Sequence, residues 1–151
     1  MEIRVEQIGD QETEYIEIGC HVRDARVNEL VRKLQLWQGR VEAFREERQY
    51  QIAIADIYYI EAVDERTFLY LEKDCYESRK RLYELEALLE ERGFVRISKS
   101  VIVDLMKVTA IRPALNGRFL CRLRNGEDVI ISRKYVPAVK AILRGEKGGG
   151  L

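Results

Sequence analysis

Two short groups of hydroxyl and basic side chains are the residues of this sequence best suited to bind an anion. The first follows an apolar run and consists of Ser98, Lys99 and Ser100. The second stands where a strand should meet a helix and consists of Ser132, Arg133 and Lys134. Hydroxyls donate to phosphate oxygens, and lysine or arginine reaches a phosphate or the O6 and N7 atoms of guanine. Taken singly, each group is also typical of an exposed loop without a binding role.

The charge of the chain is unevenly distributed although the total is zero. Residues 1–92 carry 14 Lys and Arg against 22 Asp and Glu, a net charge of −8. Residues 93–145, which contain both hydroxyl and basic groups, carry 11 against three, a net charge of +8. Such asymmetry indicates a polyanionic partner for the basic part, foremost nucleic acid. The alternative is that the two parts attract each other within one fold.

Catalysis and metal binding find little support in the sequence. It contains no nucleophile elbow, phosphate-binding loop, HExxH or dinucleotide fingerprint, so we expect no enzyme. Its single histidine, His21, stands beside Cys20, and the other cysteines are Cys75 and Cys121. An odd number of widely spaced cysteines without a CxxC pair argues against a disulfide framework or a thiolate zinc site. We therefore expect neither a metal nor a cofactor, and we expect Cys121 to be a core residue.

The sequence also shows neither a membrane-spanning segment nor a secretory signal. No apolar run approaches the ~20 residues needed to span a bilayer. Residues 1–6 alternate polar and apolar side chains and lack the apolar core of a secretory signal. These features predict a cytoplasmic protein that does not insert into a membrane.

The first 48 residues are predicted to form a small β/α unit. Apolar residues at 3–8 and 15–18 predict two short strands around a turn at Gly9 and Asp10. Asp24 is suited to cap a helix whose apolar positions are Val27, Leu30, Val31 and Leu34. A hairpin with arms at 41–44 and 50–54 follows.

The remaining residues predict strands interrupted by two amphipathic helices. Strands are expected at 57–60, 67–71 and 75–77, around a polar turn at 64–66. Four leucines at helical spacing (82, 85, 88 and 89) then predict a helix that stops at Gly93. Asn116-Gly117 and Asn125-Gly126 predict a three-stranded meander, with Phe119, Cys121 and Leu123 inward and Arg118, Arg122 and Arg124 outward. Pro137 opens a last helix that should pack through Val136, Val139 and Leu143.

Three segments of this sequence, in this order and spacing, resemble the LytTR DNA-binding domain. They are DIYYIEA at 56–62, FVRISKSVIV at 94–103 and LRNGEDVIISRKY at 123–135. The resemblance extends from about residue 50 to residue 143. It implies an α+β, mainly β fold that inserts loops, rather than a recognition helix, into successive major grooves of promoter DNA. It also implies that two protomers share one operator of direct repeats and that the DNA bends.

The resemblance also assigns roles to particular residues. It adds a third loop at Arg66 and Thr67, and it places Thr67, Lys99 with the neighbouring Ser98, and Arg133 near bases. Ser100 and Lys134 become phosphate contacts, and the outward arginines of the meander, Arg118 among them, become contacts to the DNA backbone.

We therefore expect a small N-terminal unit at 1–48, a LytTR-like domain at 49–145 and a flexible tail at 146–151. The N-terminal unit is shorter than a receiver domain, which predicts a stand-alone regulator in which this unit dimerises or regulates. The expected partners are double-stranded promoter DNA and a second copy of the chain. The alternative function, suggested by the acidic N-terminal part, is a protein-interaction module that regulates a signalling or membrane partner.

Overall fold

The computed structural model describes residues 1–145, so the expected tail at 146–151 lies outside the described residues. Its first regular element is helix α1 (Ala25–Trp37), which Asp24 caps by accepting a hydrogen bond from the Val27 backbone. Seven strands then form one antiparallel sheet in the order β2-β1-β5-β4-β3-β7-β6. Their ranges are β1 (Arg40–Arg45), β2 (Arg48–Ala53), β3 (Tyr59–Val63), β4 (Arg66–Tyr70), β5 (Cys75–Ser78), β6 (Phe94–Arg96) and β7 (Val101–Asp104).

A second, three-stranded sheet follows in the order β10-β9-β8, which confirms the predicted meander. Its strands are β8 (Val108–Pro113), β9 (Phe119–Leu123) and β10 (Asp128–Ile131). Asn116 and Gly117, between β8 and β9, both have positive φ, which explains why the chain needs this pair of residues there. Cys121 and Leu123 are buried and the three arginines point outward, as expected.

Two helices cover the sheets. Helix α2 (Leu82–Leu89) continues into a 3-10 turn that ends at Gly93, and α3 (Val136–Leu143) has Pro137 in its first turn. Successive residues of β7 enter different cores: Ile102 packs with α2, and Val103 packs with the meander and Val139 of α3. Because side chains alternate across a strand, the large sheet is the central layer between α2 and the meander. The mainly β, α+β fold is confirmed.

Two details differ from the sequence prediction. No strand forms at 3–8 or 15–18, because neither segment pairs with another backbone in the described residues. Leu143 is 52% exposed and does not serve as a core residue of α3, since the helix ends one turn after the buried Val139.

The hairpin β1–β2 bears on the expected boundary between residues 48 and 49. That boundary falls inside β2, one residue after its start, and β2 pairs with β1 from Arg40–Ala53 to Arg45–Arg48. In addition, β1 pairs with β5 through Phe44 and Glu77. Residues 40–45 therefore lie in the same sheet as the strands of the expected DNA-binding domain.

None of the helices in residues 1–145 is long and apolar enough to cross a bilayer. Within that range, no three His, Cys, Asp or Glu side chains gather in a way that could hold a metal ion.

Candidate nucleic-acid interface

Residues 98–100, which we call the Ser98 loop, form a tight connection between β6 and β7. The Ile97 amide donates to the Val101 carbonyl at 2.9 Å, and the Ser98 hydroxyl accepts a hydrogen bond from the Ser100 amide at 3.2 Å. Ser98 and Ser100 are half-buried, whereas Lys99 is exposed at the tip. The loop therefore presents the Lys99 ammonium from a backbone that its own hydrogen bonds fix.

Arg96 fixes the Ser98 loop from the side of α2. Its guanidinium donates to the Lys99 carbonyl at 2.6 Å and to the Glu86 carboxylate at 2.8 Å. The Arg96 side chain is only 17% exposed, so this ion pair is partly shielded from solvent. Arg96 is thus a positioning residue that the sequence patterns did not single out; its place one residue before the buried Ile97 was the available signal.

Residues 132–134, the Ser132 junction, lie directly beside the Ser98 loop. The Ser132 amide donates to the Ile97 carbonyl at 2.8 Å and so joins the end of β10 to the start of the loop. A 3-10 turn from Arg133 to Tyr135 then leads into α3. Arg133 and Lys134 are exposed on this turn.

Residues 114–118, the β8–β9 loop, adjoin the Ser132 junction on its other side. Gly117 has φ +76°, and a Cβ built on it would stand 2.9 Å from Cδ of Arg133. The aliphatic stem of Arg133 therefore lies across the Gly117 backbone. Arg118 is exposed in the same loop, and its Nε donates to the Leu115 carbonyl at 3.1 Å.

The turn at residues 64–65, the β3–β4 turn, lies on the opposite side of the Ser98 loop. The Ala62 amide, near the end of β3, donates to the Ser100 carbonyl at 2.8 Å. Asp64 and Glu65 form the tip of the turn, and both are exposed. The structure thus places the four connections side by side, but it gives this turn an acidic tip beside three basic loops.

Next to this turn, Thr67 is buried and Arg66 is already paired with a carboxylate. Thr67, which the resemblance places near bases, is 4% exposed because alternate residues of β4 face inward. Arg66 is exposed, but its guanidinium donates to both Glu77 oxygens, at 3.0 and 2.6 Å. The hydrogen bond from Arg66 holds the pKa of the Glu77 carboxyl below its ordinary value.

The outward arginines of the meander differ from one another in their partners. Arg122 pairs with Asp128 on the neighbouring strand at 2.6 Å, and its hydrogen bond lowers the pKa of that carboxyl. Arg124 donates to the Met106 carbonyl at 2.6 Å. Of the three, Arg118 alone belongs to the β8–β9 loop and so adjoins the Ser132 junction.

Comparison with known proteins identifies the family to which this chain belongs. Residues 47–144 match the model of the LytTr DNA-binding domain. The chain is 29% identical over 93 residues to the sensory transduction protein LytT of Bacillus anthracis, covering 62% of this chain and 38% of that protein. It is 29% identical over 104 residues to the transcriptional regulatory protein YpdB of Escherichia coli K12, covering 68% and 43%.

The chain spans about two fifths of the length of these curated relatives. Among solved structures, it is similar to a LytTr DNA-binding domain from Bacillus cereus, with a TM-score of 0.66 and 28% identity. That match covers 70% of this chain and 96% of the other. Since the family model covers more than half of the chain, this protein belongs to the LytTr DNA-binding domain family.

Proposed function

We propose that this chain is a transcriptional regulator that binds promoter DNA through the Ser98 loop, the Ser132 junction and the β8–β9 loop. One observation carries the proposal: the three adjoining loops present four exposed cations, none of which forms an ion pair with a carboxylate in residues 1–145. These cations are Lys99, Arg118, Arg133 and Lys134. Uncompensated charge on one continuous surface matches the phosphate backbone of a duplex.

Within this surface the residues divide into two roles. Lys99, at the tip of a fixed loop, and Arg133, whose stem is held over Gly117, are the candidates for guanine contacts in major grooves. Ser98, Ser100, Lys134 and Arg118 are suited to phosphate contacts that set the register. In this proposal Thr67 supports the sheet, and Arg66 reaches DNA only by leaving Glu77.

We further propose that two copies occupy direct repeats and that each bends the DNA it binds. A duplex that curves toward the protein would let several loops of one edge make contact, and those contacts would offset a deformation cost that depends on the DNA sequence.

The test is a fluorescence-anisotropy titration on a DNA fragment first selected from a random pool. Lys99→Ala and Arg133→Ala should each weaken binding by about 1–3 kcal/mol if each makes a bidentate or close base contact. The matched control is Lys73→Ala. Lys73 is exposed in the turn after β4, and the β3–β4 turn lies at the opposite end of that strand. Parent-like affinity of both loop variants would contradict the proposal.

A second candidate is a protein-interaction module, which the exposed apolar residues of the N-terminal segment favour. The random-pool selection separates the two functions, because an interaction module should enrich no DNA sequence.

A further inference from the structure

The N-terminal arm, residues 1–24, exposes apolar side chains that a folded protein would ordinarily cover. Ile3 is 90% exposed, Val5 92% and Tyr15 65%. No residue of the arm lies in a strand, and a single turn between Gly9 and Glu12 interrupts its extended course. Neighbouring exposed apolar residues of this kind mark a surface that binds a partner.

The arm is also strongly acidic. It carries seven Asp and Glu against two Arg, and acids flank its apolar residues, as Glu2 and Glu6 flank Ile3 and Val5. Glu2 forms an exposed ion pair with Arg4 at 3.1 Å, and Glu6 forms none within residues 1–145. An extended segment with this alternation presents an apolar edge and an anionic edge to whatever it binds. Its partner surface should therefore combine an apolar floor with cations.

A cleft between α1, β1 and α2, which we call the α1–α2 groove, has such a floor. Its volume is about 330 Å³. Four aliphatic side chains from the three elements form the floor: Leu36, Val41, Leu85 and Leu88. Leu36 and Leu88 are only half-buried, so the groove leaves apolar area open to solvent.

The rim of the α1–α2 groove carries uncompensated positive charge. Its lining holds five Lys and Arg against three Glu, a net charge of +2. Glu29 pairs with Arg32, Glu42 accepts a hydrogen bond from Gln49, and Glu84 accepts one from the Arg81 backbone. In contrast, four of its cations form no ion pair within residues 1–145; these are Lys33, Arg40, Arg79 and Lys80. The rim is thus complementary in charge to the arm.

We propose that the N-terminal arm of a second copy binds in the α1–α2 groove, so that two copies exchange arms. The arm runs directly into α1, which is itself a wall of the groove, and Met1 lies against α1 beside Leu30 and Lys33, the second of which also lines the groove. A stretch of 24 residues can extend to about 80 Å, which is ample to reach a neighbouring copy. Reciprocal exchange closes the assembly at two copies. This interaction does not depend on DNA binding.

Sedimentation equilibrium of the full chain without DNA, at increasing concentration, tests the exchange. Arg40→Glu with Lys80→Glu in the groove, or Glu2→Lys with Glu6→Lys in the arm, should each weaken dimerisation roughly tenfold or more, because like charges then face each other. The quadruple variant should recover the parent's dimerisation to within a few-fold, since its charges are again complementary. Lys73→Glu, a single charge reversal at a remote exposed site, is the control and should dimerise like the parent.

Three results would overturn the exchange: a parent that stays monomeric, charge variants that dimerise like the parent, or a quadruple variant that fails to recover. Circular dichroism checks that each variant is folded. Anisotropy on the selected DNA is scored separately, so failure of arm exchange and failure of DNA binding remain distinct outcomes. A monomeric parent with strong DNA binding would refute the exchange and leave the proposed function standing.

Discussion

Lys107 and Asp104 form a buried ion pair where the chain passes from β7 to β8. Their relative exposures are 7% and 5%. The Lys107 ammonium donates to Asp104 at 2.9 Å and to the Ala55 carbonyl at 2.6 Å, while the other Asp104 oxygen accepts from the Met106 amide. The pair thus ties together the connection between the two sheets and the 3-10 turn that precedes β3.

Replacing one partner should be far more costly than replacing an exposed pair. Lys107→Met should lower the free energy of unfolding by about 3–5 kcal/mol, because it leaves the Asp104 charge buried without its counterion. Arg122→Met, which breaks the exposed pair with Asp128, serves as the control and should have a small effect. Urea unfolding measures both; equal effects would contradict this account of Lys107.

Gly117 offers a test of how Arg133 is positioned. Gly117→Ala should weaken DNA binding as Arg133→Ala does, because the new methyl group would displace the Arg133 stem. Positive φ adds a stability cost of about 1–2 kcal/mol. In anisotropy titrations the two substitutions should be non-additive, since both act on the same side chain. Fully additive losses would show that Gly117 acts elsewhere.

Thr67 illustrates what the sequence could and could not reveal about single residues. The family resemblance implies a base contact, whereas the spacing of two residues between Thr67 and Leu69 puts both side chains on the inward face of β4. In contrast, no local pattern reveals that Arg66 donates to Glu77, because the partner lies 11 residues away on another strand. Pairings of this kind depend on the register between strands.

At the scale of elements, the segments with a local cause were predictable. The meander follows from two Asn-Gly turns, and α1 follows from the Asp24 cap and its apolar spacing. The strands expected at 3–8 and 15–18 were wrong. Alternating polar and apolar residues show that a segment can pair as a strand, but they do not provide the second strand with which it would pair. That same alternation is what the proposed exchange of arms would use.

Tyr59 connects the two sheets, and its contribution should depend on pH. Its ring stacks on Tyr70 at 4.5 Å, and its hydroxyl donates to Glu127, beside the meander, at 2.8 Å. Burial, and then the hydrogen bond to Glu127, raise the pKa of Tyr59 well above its ordinary value of 10.0. Below pH 10 both the folded and unfolded states keep the proton, so the contribution is complete there.

Tyr59→Phe should therefore cost about 1 kcal/mol near pH 8, the net value of a lost hydrogen bond. Above pH 10 the unfolded tyrosine ionises first, so the advantage of the parent should shrink as pH rises toward the folded pKa. Urea unfolding from pH 8 to pH 11 measures the difference. A difference that grows with pH would contradict the sign of this linkage.

At the scale of the whole molecule, the side-by-side arrangement of the loops could not be read from the chain. It depends on two backbone hydrogen bonds, Ser132 to Ile97 and Ala62 to Ser100, that join residues far apart in sequence. The count of charged residues identified 93–145 as the basic part of the chain, but it did not show which of its loops adjoin. The acidic tip of the β3–β4 turn shows that the basic surface stops at the Ser98 loop.

The charge of that surface makes a prediction about salt. Log affinity should fall linearly with log salt concentration, with a slope of about −0.9 for each phosphate that a cation neutralises. Lys134→Ala should reduce the magnitude of the slope by about 1 and weaken all DNA sequences alike. Anisotropy titrations at several salt concentrations measure the slope, with Lys73→Ala as control. An unchanged slope would exclude a phosphate contact for Lys134.

The hydrogen bonds between the loops have an evolutionary consequence. Because Ile97 and Ser100 share their backbone groups with β10 and β3, an insertion in one loop would disturb its neighbours as well. Drift toward a new operator should therefore proceed by exchanging side chains at exposed tips such as Lys99, while loop lengths stay constant. Paralogues that regulate different genes should accordingly differ in the exposed side chains of these loops and have the same loop lengths.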